Sequence, residues 1–458
     1  MILDINNHRH LIAGLCVILY LILCSWVAYR ERSRRRQAAK AAAAFNQTQE
    51  GPPPWLVAYA SQTGNAEQIA WQTANALHAG GIPTQIRSLA QLQASDLQHT
   101  QRALFIVSTY GEGDPPDNAT TFARKVMEHS LPLKQLHYSV LALGDREYTN
   151  FCGFGRTLDS WLHAQGAQCL FPRIDVSNSD SAALEKWRHQ LTQLAGTGTT
   201  IDWQSPSFET WLLVARRHMN PGSAGHPVFH IELQPQGEQA LPSWQAGDLV
   251  QILAPTDRER AREYSIASIP SDGRVHLLVR QERHRDGSLG VASGWLTDQA
   301  PLNAAIELKI RAHNNFRLET NADRPMILIG NGTGLAGLRA HLKARIAQGL
   351  RQNWLIFGER NAATDAFYQG ELESWRTQHQ LRIDWVFSRD QPTRRYVQDQ
   401  LRNSAETVRE WISNGAAIYV CGSLEGMAGG VHSALTEILG NHGLEQLIET
   451  GRYRRDVY

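Results

Sequence analysis

WLVAYASQTGNA, residues 55 to 66, is the stretch whose reading decides the fold. Trp55 to Ala60 form a short apolar run of strand type, Ser61 to Ala66 a loop of hydroxyls, an amide and a glycine, and a helical pattern follows to Leu77. Strand, tight loop and helix in that order are the unit of a parallel sheet covered by helices. Free backbone N–H groups at the helix start point at whatever sits in the loop, so the loop suits a phosphate monoester. The lysine of an ATP-type phosphate loop is missing, and ATP is not suggested. The same residues would also serve as a plain Ser/Thr/Asn helix cap, so the loop alone leaves both readings open.

Two further strands repeat the arrangement. LFIVS (104–108) runs into TYGEGDPP (109–116), and YSVLAL (138–143) into GDREYTNFC (144–152). Three loops therefore gather at the carboxyl edge of one parallel sheet, where open α/β sheets bind ligands. Tyr110 and Tyr148 each lie on such a loop, placed to stack on the two faces of a planar ring. Either one alone would read as an ordinary half-buried tyrosine.

SQTGNA, STYGEGDPPDNA and LGDREYTNFCGFG resemble the FMN-binding loops of the flavodoxin-like domain in diflavin reductases. The resemblance implies that Ser61, Gln62, Thr63, Gly64, Asn65 and Ala66 hold the FMN phosphate and that Tyr110 and Tyr148 sandwich the ring. Ser108, Thr109, Gly111, Leu143, Gly144, Asp145 and Phe151 would complete that site. Gly111 and Gly144 would let backbone approach the flavin and tune its potentials.

Residues 196 to 227 are rich in Gly, Thr, Ser and Pro around FETWLLVARRHM, which marks a boundary and a candidate hinge. Beyond it HIEL (230–233), DLVQIL (248–253) and VHLLVR (275–280) read as strands of a mainly antiparallel barrel. Arg262, Tyr264 and Ser265 offer a guanidinium, a ring and a hydroxyl, a plausible flavin clamp that is weak as a string. Gly290, Val291, Ala292 and Ser293 are small residues before a helix, suited to a pyrophosphate. From Met326 the pattern returns to parallel α/β, with Gly332, Thr333 and Gly334 after the first strand. Ser388, Arg389, Arg394 and Tyr396 follow a later strand; paired guanidiniums fit a 2′-phosphate and favour NADPH over NADH.

REYSIAS, GVASGWL, HNNFRLE, GNGTGLAGLRA, FSRDQPTRRYVQDQL, IYVCGS and the terminal GRYRRDVY resemble the ferredoxin-reductase half of sulfite reductase flavoproteins and NADPH-haemoprotein reductases. The resemblance spans about residues 55 to 458. It implies that Arg262, Tyr264, Ser265 and Gly290 to Ser293 bind FAD, that Tyr458 stacks on its ring, and that Ser265, Cys421 and Asp456 surround the point of hydride transfer. Their task would be alignment and polar stabilisation, since neither reactant needs an acid or base. The expected architecture is a flavodoxin-like FMN domain (55–195), a linker (196–227), an antiparallel FAD-binding barrel (228–322) and an α/β NADP-binding domain (323–458). Three departures stand out. Only thirteen residues separate Asp248 from Arg262, where relatives carry a helical connecting domain, which leaves the mutual orientation of the flavins open. Asn331 and Gly337 stand where proline is usual, which should loosen the turn. Ser423-Leu424-Glu425 replaces a stretch that usually begins with aspartate.

Of 458 residues, 42% are hydrophobic and 19% charged, which excludes long disorder and a multi-span membrane protein. Five widely spaced cysteines indicate neither a disulfide framework nor a zinc site. Seven Lys/Arg against two Asp/Glu in residues 1 to 40 leave the remainder with 38 basic and 42 acidic residues, a net −4 that argues against nucleic acid. Leu11 to Tyr29 are nineteen uncharged residues, about 28 Å as a helix, which is enough to span a bilayer. Basic residues follow at Arg30, Arg32, Arg34, Arg35, Arg36 and Lys40, so the expectation is a single-pass inner-membrane anchor at 11–29, N-terminus out, with a basic and Pro-rich tether (30–54) and cytoplasmic flavin domains. The expected activity is an anchored NADPH-dependent diflavin oxidoreductase passing electrons from NADPH through FAD and FMN to a one-electron acceptor. That acceptor would be a haemoprotein or a membrane iron- or siderophore-reducing system. The alternatives are the flavoprotein component of a sulfite reductase and a non-catalytic flavodoxin-like relay.

Overall fold

A computed structural model describes residues 53 to 458 except 62–63, 147, 178–179, 196–207 and 238–240. The first sheet is parallel: β1 (Trp55–Ala60), β2 (Thr84–Ser88), β3 (Arg102–Ser108), β4 (His137–Gly144), β5 (Gln168–Cys169) and β6 (Ile174–Ser177), in the order β2-β1-β3-β4-β5 with β6 also paired to β4. Alternation along β1 explains why both faces are covered. Leu56, Ala58 and Ala60 pack with Phe105, Val107 and Ala142 on one side, whereas Trp55 and Val57 pack with Leu104, Ile106 and Leu141 on the other. Successive side chains point to opposite faces, so a strand apolar throughout needs helices above and below it. Helix Gly153–Ala164 supplies Phe154, Leu158 and Leu162 to the first face, and helices Asn65–Ala79 and Ser181–Ala195 supply Ile69, Leu77 and Trp187 to the second.

The second sheet is antiparallel: β7 (Glu209–His218), β8 (Val228–Pro235), β9 (Leu249–Ala254), β10 (Asp257–Ser265), β11 (Val275–Arg280) and β12 (Ala305–Arg311), ordered β10-β9-β12-β7-β8-β11. Its own core takes alternate residues, among them Trp211, Leu213, Ile231, Leu233, Val250, Ile252, Leu277 and Val279. Two expectations change here. The linker assigned to 196–227 divides: 196–207 lie outside the described residues, and Glu209–His218 are a strand between β12 and β8. Hydrogen bonding to both neighbours makes ETWLLVARRH sheet rather than hinge. The short connection between Asp248 and Arg262 is a direct β9–β10 hairpin with an irregularity between Asp257 and Arg262.

The third sheet is parallel again: β13 (Met326–Asn331), β14 (Asn353–Glu359), β15 (Arg382–Phe387), β16 (Ala417–Gly422) and β17 (Tyr453–Val457), ordered β15-β14-β13-β16-β17. Ile327, Ile329, Ile418 and Val420 face one core and Met326, Leu328, Phe357 and Cys421 the other. The charged C-terminal segment YRRDV forms β17, paired in register with β16.

The expected membrane span at 11–29 lies outside the described residues, as does most of the tether. No helix among the described residues is long and apolar enough to cross a membrane.

Candidate functional site

The site is built from strand ends. At the end of β1, buried Ser61 is fixed from both sides: its N–H donates to Asn118 Oδ1 at 3.1 Å, and its hydroxyl accepts from the Ala66 N–H at 3.2 Å. Gly64 precedes the helix with φ +86°, a left-handed conformation open to glycine at no steric cost. Gln62 and Thr63 lie outside the described residues. The loop after β3 closes on itself, with Tyr110 N–H donating to the Asp114 carbonyl and Asp114 N–H to the Tyr110 carbonyl, both at 2.9 Å. Gly111 adopts φ +50° within it. Gly144 is also required by packing within the protein. A Cβ there would lie 2.8 Å from the Cys152 backbone nitrogen, so the missing side chain lets the Gly144 and Cys152 loops pack together.

One cleft of about 740 Å³ gathers these loops against the antiparallel sheet and the C-terminus. Asn65, Ser108, Thr109, Tyr110, Gly111, Leu143, Gly144, Asp145, Tyr148 and Phe151 line it from the first unit, and Arg262 and Tyr458 from the others. Tyr148 and Tyr458 expose 38% and 54% of their surface, two large rings without full apolar cover facing one cavity. The Thr109 and Tyr110 hydroxyls are buried without a hydrogen-bond partner among the described residues. Buried polar atoms are rarely left so, and this pair fits the polar edge of a bound ring. Arg258, Arg260, Lys309 and Arg311 add a cationic wall that sequence reasoning missed. Its signal was legible as the alternation Arg258, Arg260, Arg262 along one strand. The wall's charges are held by acids: Arg260 pairs with Asp145 at 3.1 Å, Arg262 with Asp257 at 3.2 Å and Arg311 with Glu263 at 2.8 Å. Rings, orphaned hydroxyls and clustered cations together fit flavins with their phosphates.

Ser265, Cys421 and Asp456 come together from three strands. The β16–β17 register places Cys421 beside Asp456, and β10 ends at Ser265. The Ser265 hydroxyl donates to Asp456 Oδ2 at 2.7 Å, and the Cys421 thiol lies 3.7 Å from the same oxygen. All three side chains are buried. Burial pushes the Cys421 thiol well above its ordinary pKa, and the Asp456 carboxylate adds to the effect, so sulfur stays protonated and donates. Burial likewise raises Tyr264. Tyr458 anchors the chain end, its N–H donating to the Gly422 carbonyl at 3.0 Å and its hydroxyl to Thr333 Oγ1 at 3.2 Å.

The glycine loop after β13 is shaped as much by the protein as by any ligand. A Cβ on Gly334 would come within 2.1 Å of the Cys421 carbonyl oxygen, and Gly332 has φ +56° with Arg280 against it. Asn331, expected to loosen this turn, instead ties it down: its Oδ1 accepts from the Ser423 N–H at 2.9 Å. Leu424 packs near Tyr110, and a Cβ on Gly111 would sit 3.4 Å from it. Gly290, Val291, Ala292 and Ser293 do not line the large cleft. They form a short turn in which Ser293 Oγ accepts from the Glu282 N–H at 3.2 Å. Ser388, Arg389, Arg394 and Tyr396 lie beyond the edge strand β15, where Arg389, Arg394 and Tyr396 are exposed.

Direct contacts join the first unit to the other two, settling in this structure the orientation the sequence left open. Arg455 pairs with Asp117 while its guanidinium lies 5.6 Å from the Tyr110 ring centre. Arg124 pairs with Glu445, Lys125 with Glu449 at 2.7 Å, and Asn314 Nδ2 donates to Glu67 at 3.2 Å. No pairing between these residues was readable from the sequence.

Comparison with known proteins follows the same division. The flavodoxin family pattern matches residues 57–189, and the oxidoreductase NAD-binding domain pattern matches residues 328–433. The chain is 27% identical to the sulfite reductase [NADPH] flavoprotein alpha-component of Mannheimia succiniciproducens over 92% of each chain. It is 28% identical to the protein of the same name in Vibrio cholerae, covering 88% of this chain and 87% of that one. The Neisseria meningitidis protein of that name is also 28% identical, over 87% of this chain and 88% of its own. These alignments run over 551 and 534 positions, more than the 458 residues here, so part of each relative has no counterpart in this chain. The inner-membrane location expected from the first forty residues is accordingly corrected. The relatives matched over most of the chain are named as components of sulfite reductase, and no described helix can cross a bilayer.

Proposed function

The chain belongs to the diflavin reductase family as an NADPH-dependent flavoprotein oxidoreductase using FMN, FAD and NADPH, and from that premise we propose that its electrons go singly to a haemoprotein on a separate polypeptide, as in the flavoprotein component of a sulfite reductase. The observation that carries this reading is the meeting of Ser265, Cys421 and Asp456, flanked in sequence by Glu263, Val457 and Tyr458, which line the cleft shared with the first unit's loops. A relay without nicotinamide chemistry would have no use for that trio. When bound, the flavins supply the conversion of a two-electron hydride into one-electron transfers.

The residues of the chain align and shield. Asp456 accepts from the Ser265 hydroxyl and holds it in one orientation, with the protonated Cys421 thiol 3.7 Å from the same oxygen. That arrangement offers fixed dipoles to a charge in transit and removes no proton of its own. We assign Tyr458 to cover the ring at this point, Arg262, Tyr264 and Gly290–Ser293 to FAD, and Gly332–Gly334 with Ser388, Arg389, Arg394 and Tyr396 to NADPH. Ser61 to Ala66, the Ser108–Gly111 and Leu143–Asp145 loops, Tyr148 and Phe151 fall to FMN.

The test couples the purified, flavin-loaded chain to a candidate haemoprotein under anaerobic conditions and follows haem reduction by NADPH. A Tyr110→Ala/Tyr148→Ala variant depleted of FMN should still reduce ferricyanide but lose haem reduction. Undiminished haem reduction without FMN would contradict the proposed path.

A further inference from the structure

We propose that His230, Glu232 and His276 form a binding site for one divalent transition-metal ion of the zinc type, where the antiparallel sheet meets the NADP-binding unit. Strands β8 and β11 pair antiparallel with His276 directly opposite Glu232 and Leu278 opposite His230. The three side chains therefore share one face, while Leu277 and Val279 on β11 fill the core behind it. Their ligand atoms all lie within 4.8 Å of one another.

Outer contacts hold two of the three side chains in place. The Tyr368 hydroxyl sits 2.8 Å from His230 Nδ1, which leaves Nε2 turned toward Glu232 Oε1 at 3.3 Å. Arg274 occupies the other carboxylate oxygen, Oε2, at 2.7 Å. His276 Nδ1 is buried and has no hydrogen-bond partner among the described residues. A purely structural His230–Glu232–Arg274 chain accounts for the first two contacts and leaves that nitrogen unexplained. Two imidazoles and one carboxylate are an established zinc donor set with a fourth position left for water, and ligands held by outer hydrogen bonds are the usual pattern. The nearby Arg339 is compensated by Glu371 through two bonds at 2.6 and 2.8 Å. An ion here would tie the edge strand β11 to β8, with Tyr368 linking it to the helix Gln369–His379 of the neighbouring unit. None of the three residues lines the large cleft.

The experiment uses the full-length, flavin-loaded protein stripped of metal. Cobalt(II) is titrated in and its visible d–d absorption followed, and zinc affinity is then measured by competition with a chromophoric chelator. One ion per chain with tetrahedral cobalt bands is expected, and His276→Gln and Glu232→Gln should each remove the bands. Tyr368→Phe should weaken zinc binding by about 10- to 100-fold, as loss of an orienting partner does. Flavin content and NADPH-dependent flavin reduction confirm that the variants fold, and they report on the reductase reading separately. Absence of a one-to-one site, or equal binding by the His276→Gln variant through other histidines or thiols, would overturn the proposal.

Discussion

Ser265, Cys421 and Asp456 are buried and bonded to one another, whereas Arg389, Arg394 and Tyr396 stand exposed, the two arginines without an ion pair among the described residues. The first group is ordered by the fold itself, through the register of β16 with β17 and the end of β10. The second has no such contacts, and under the proposed NADPH assignment the nucleotide would order it. Preorganised groups act on the rate of a chemical step, while groups ordered on binding contribute mainly to affinity. The two glycine turns differ as well: Gly64 is left-handed, where a Cβ would meet the Ala312 carbonyl oxygen at 3.4 Å, but a Cβ on Gly334 would lie 2.1 Å from the Cys421 carbonyl oxygen.

Four substitutions would sharpen or break the comparison. Gly334→Ala should have the largest effect, since its Cβ would meet backbone that cannot move without disturbing β16. A loss of about 3 kcal/mol or failure to fold is expected, read from thermal unfolding, and an unchanged midpoint would show the turn to be soft. Asp456→Ala should slow flavin reduction by NADPH about 100-fold with flavin content unchanged, as removal of a preorganised partner does. Stopped-flow absorbance measures it, and a change confined to KM would place Asp456 with the binding groups instead. Arg389→Ala should raise KM for NADPH about tenfold and leave NADH unaffected, in keeping with loss of a charge-assisted hydrogen bond. Equal losses with both nucleotides would remove it from the 2′-phosphate. Tyr458→Ala should improve NADH use by an amount on the order of a few-fold, because its ring no longer competes for the cleft. Unchanged selectivity in steady-state kinetics would contradict its stacking role.

Much of the fold was legible because apolar strands punctuated by polar loops leave a plain signature. LFIVS and YSVLAL are short, apolar on both faces and followed by glycine-bearing loops, and each became a strand of the first sheet. What stayed hidden depended on partners distant in the chain. YRRDV is too charged to read as a strand, and only pairing with β16 makes β17 and sets Asp456 beside Cys421. Glu209–His218 was masked by the Gly-, Ser- and Pro-rich segments around it. Arg455 and Asp117 meet across two units, which no local pattern foretells. Gly144 was legible as a loop glycine, but the closeness of Cys152 was not.

The central claim is that electrons enter as hydride from NADPH and pass through two flavins held by one chain. Its most direct measurement is anaerobic: quantify FMN and FAD bound to the purified protein, then follow flavin absorbance after mixing with NADPH or with NADH. The account predicts one of each flavin per chain and rapid reduction of both by NADPH, with NADH much slower. A single flavin, or no reduction by either nucleotide, would contradict it.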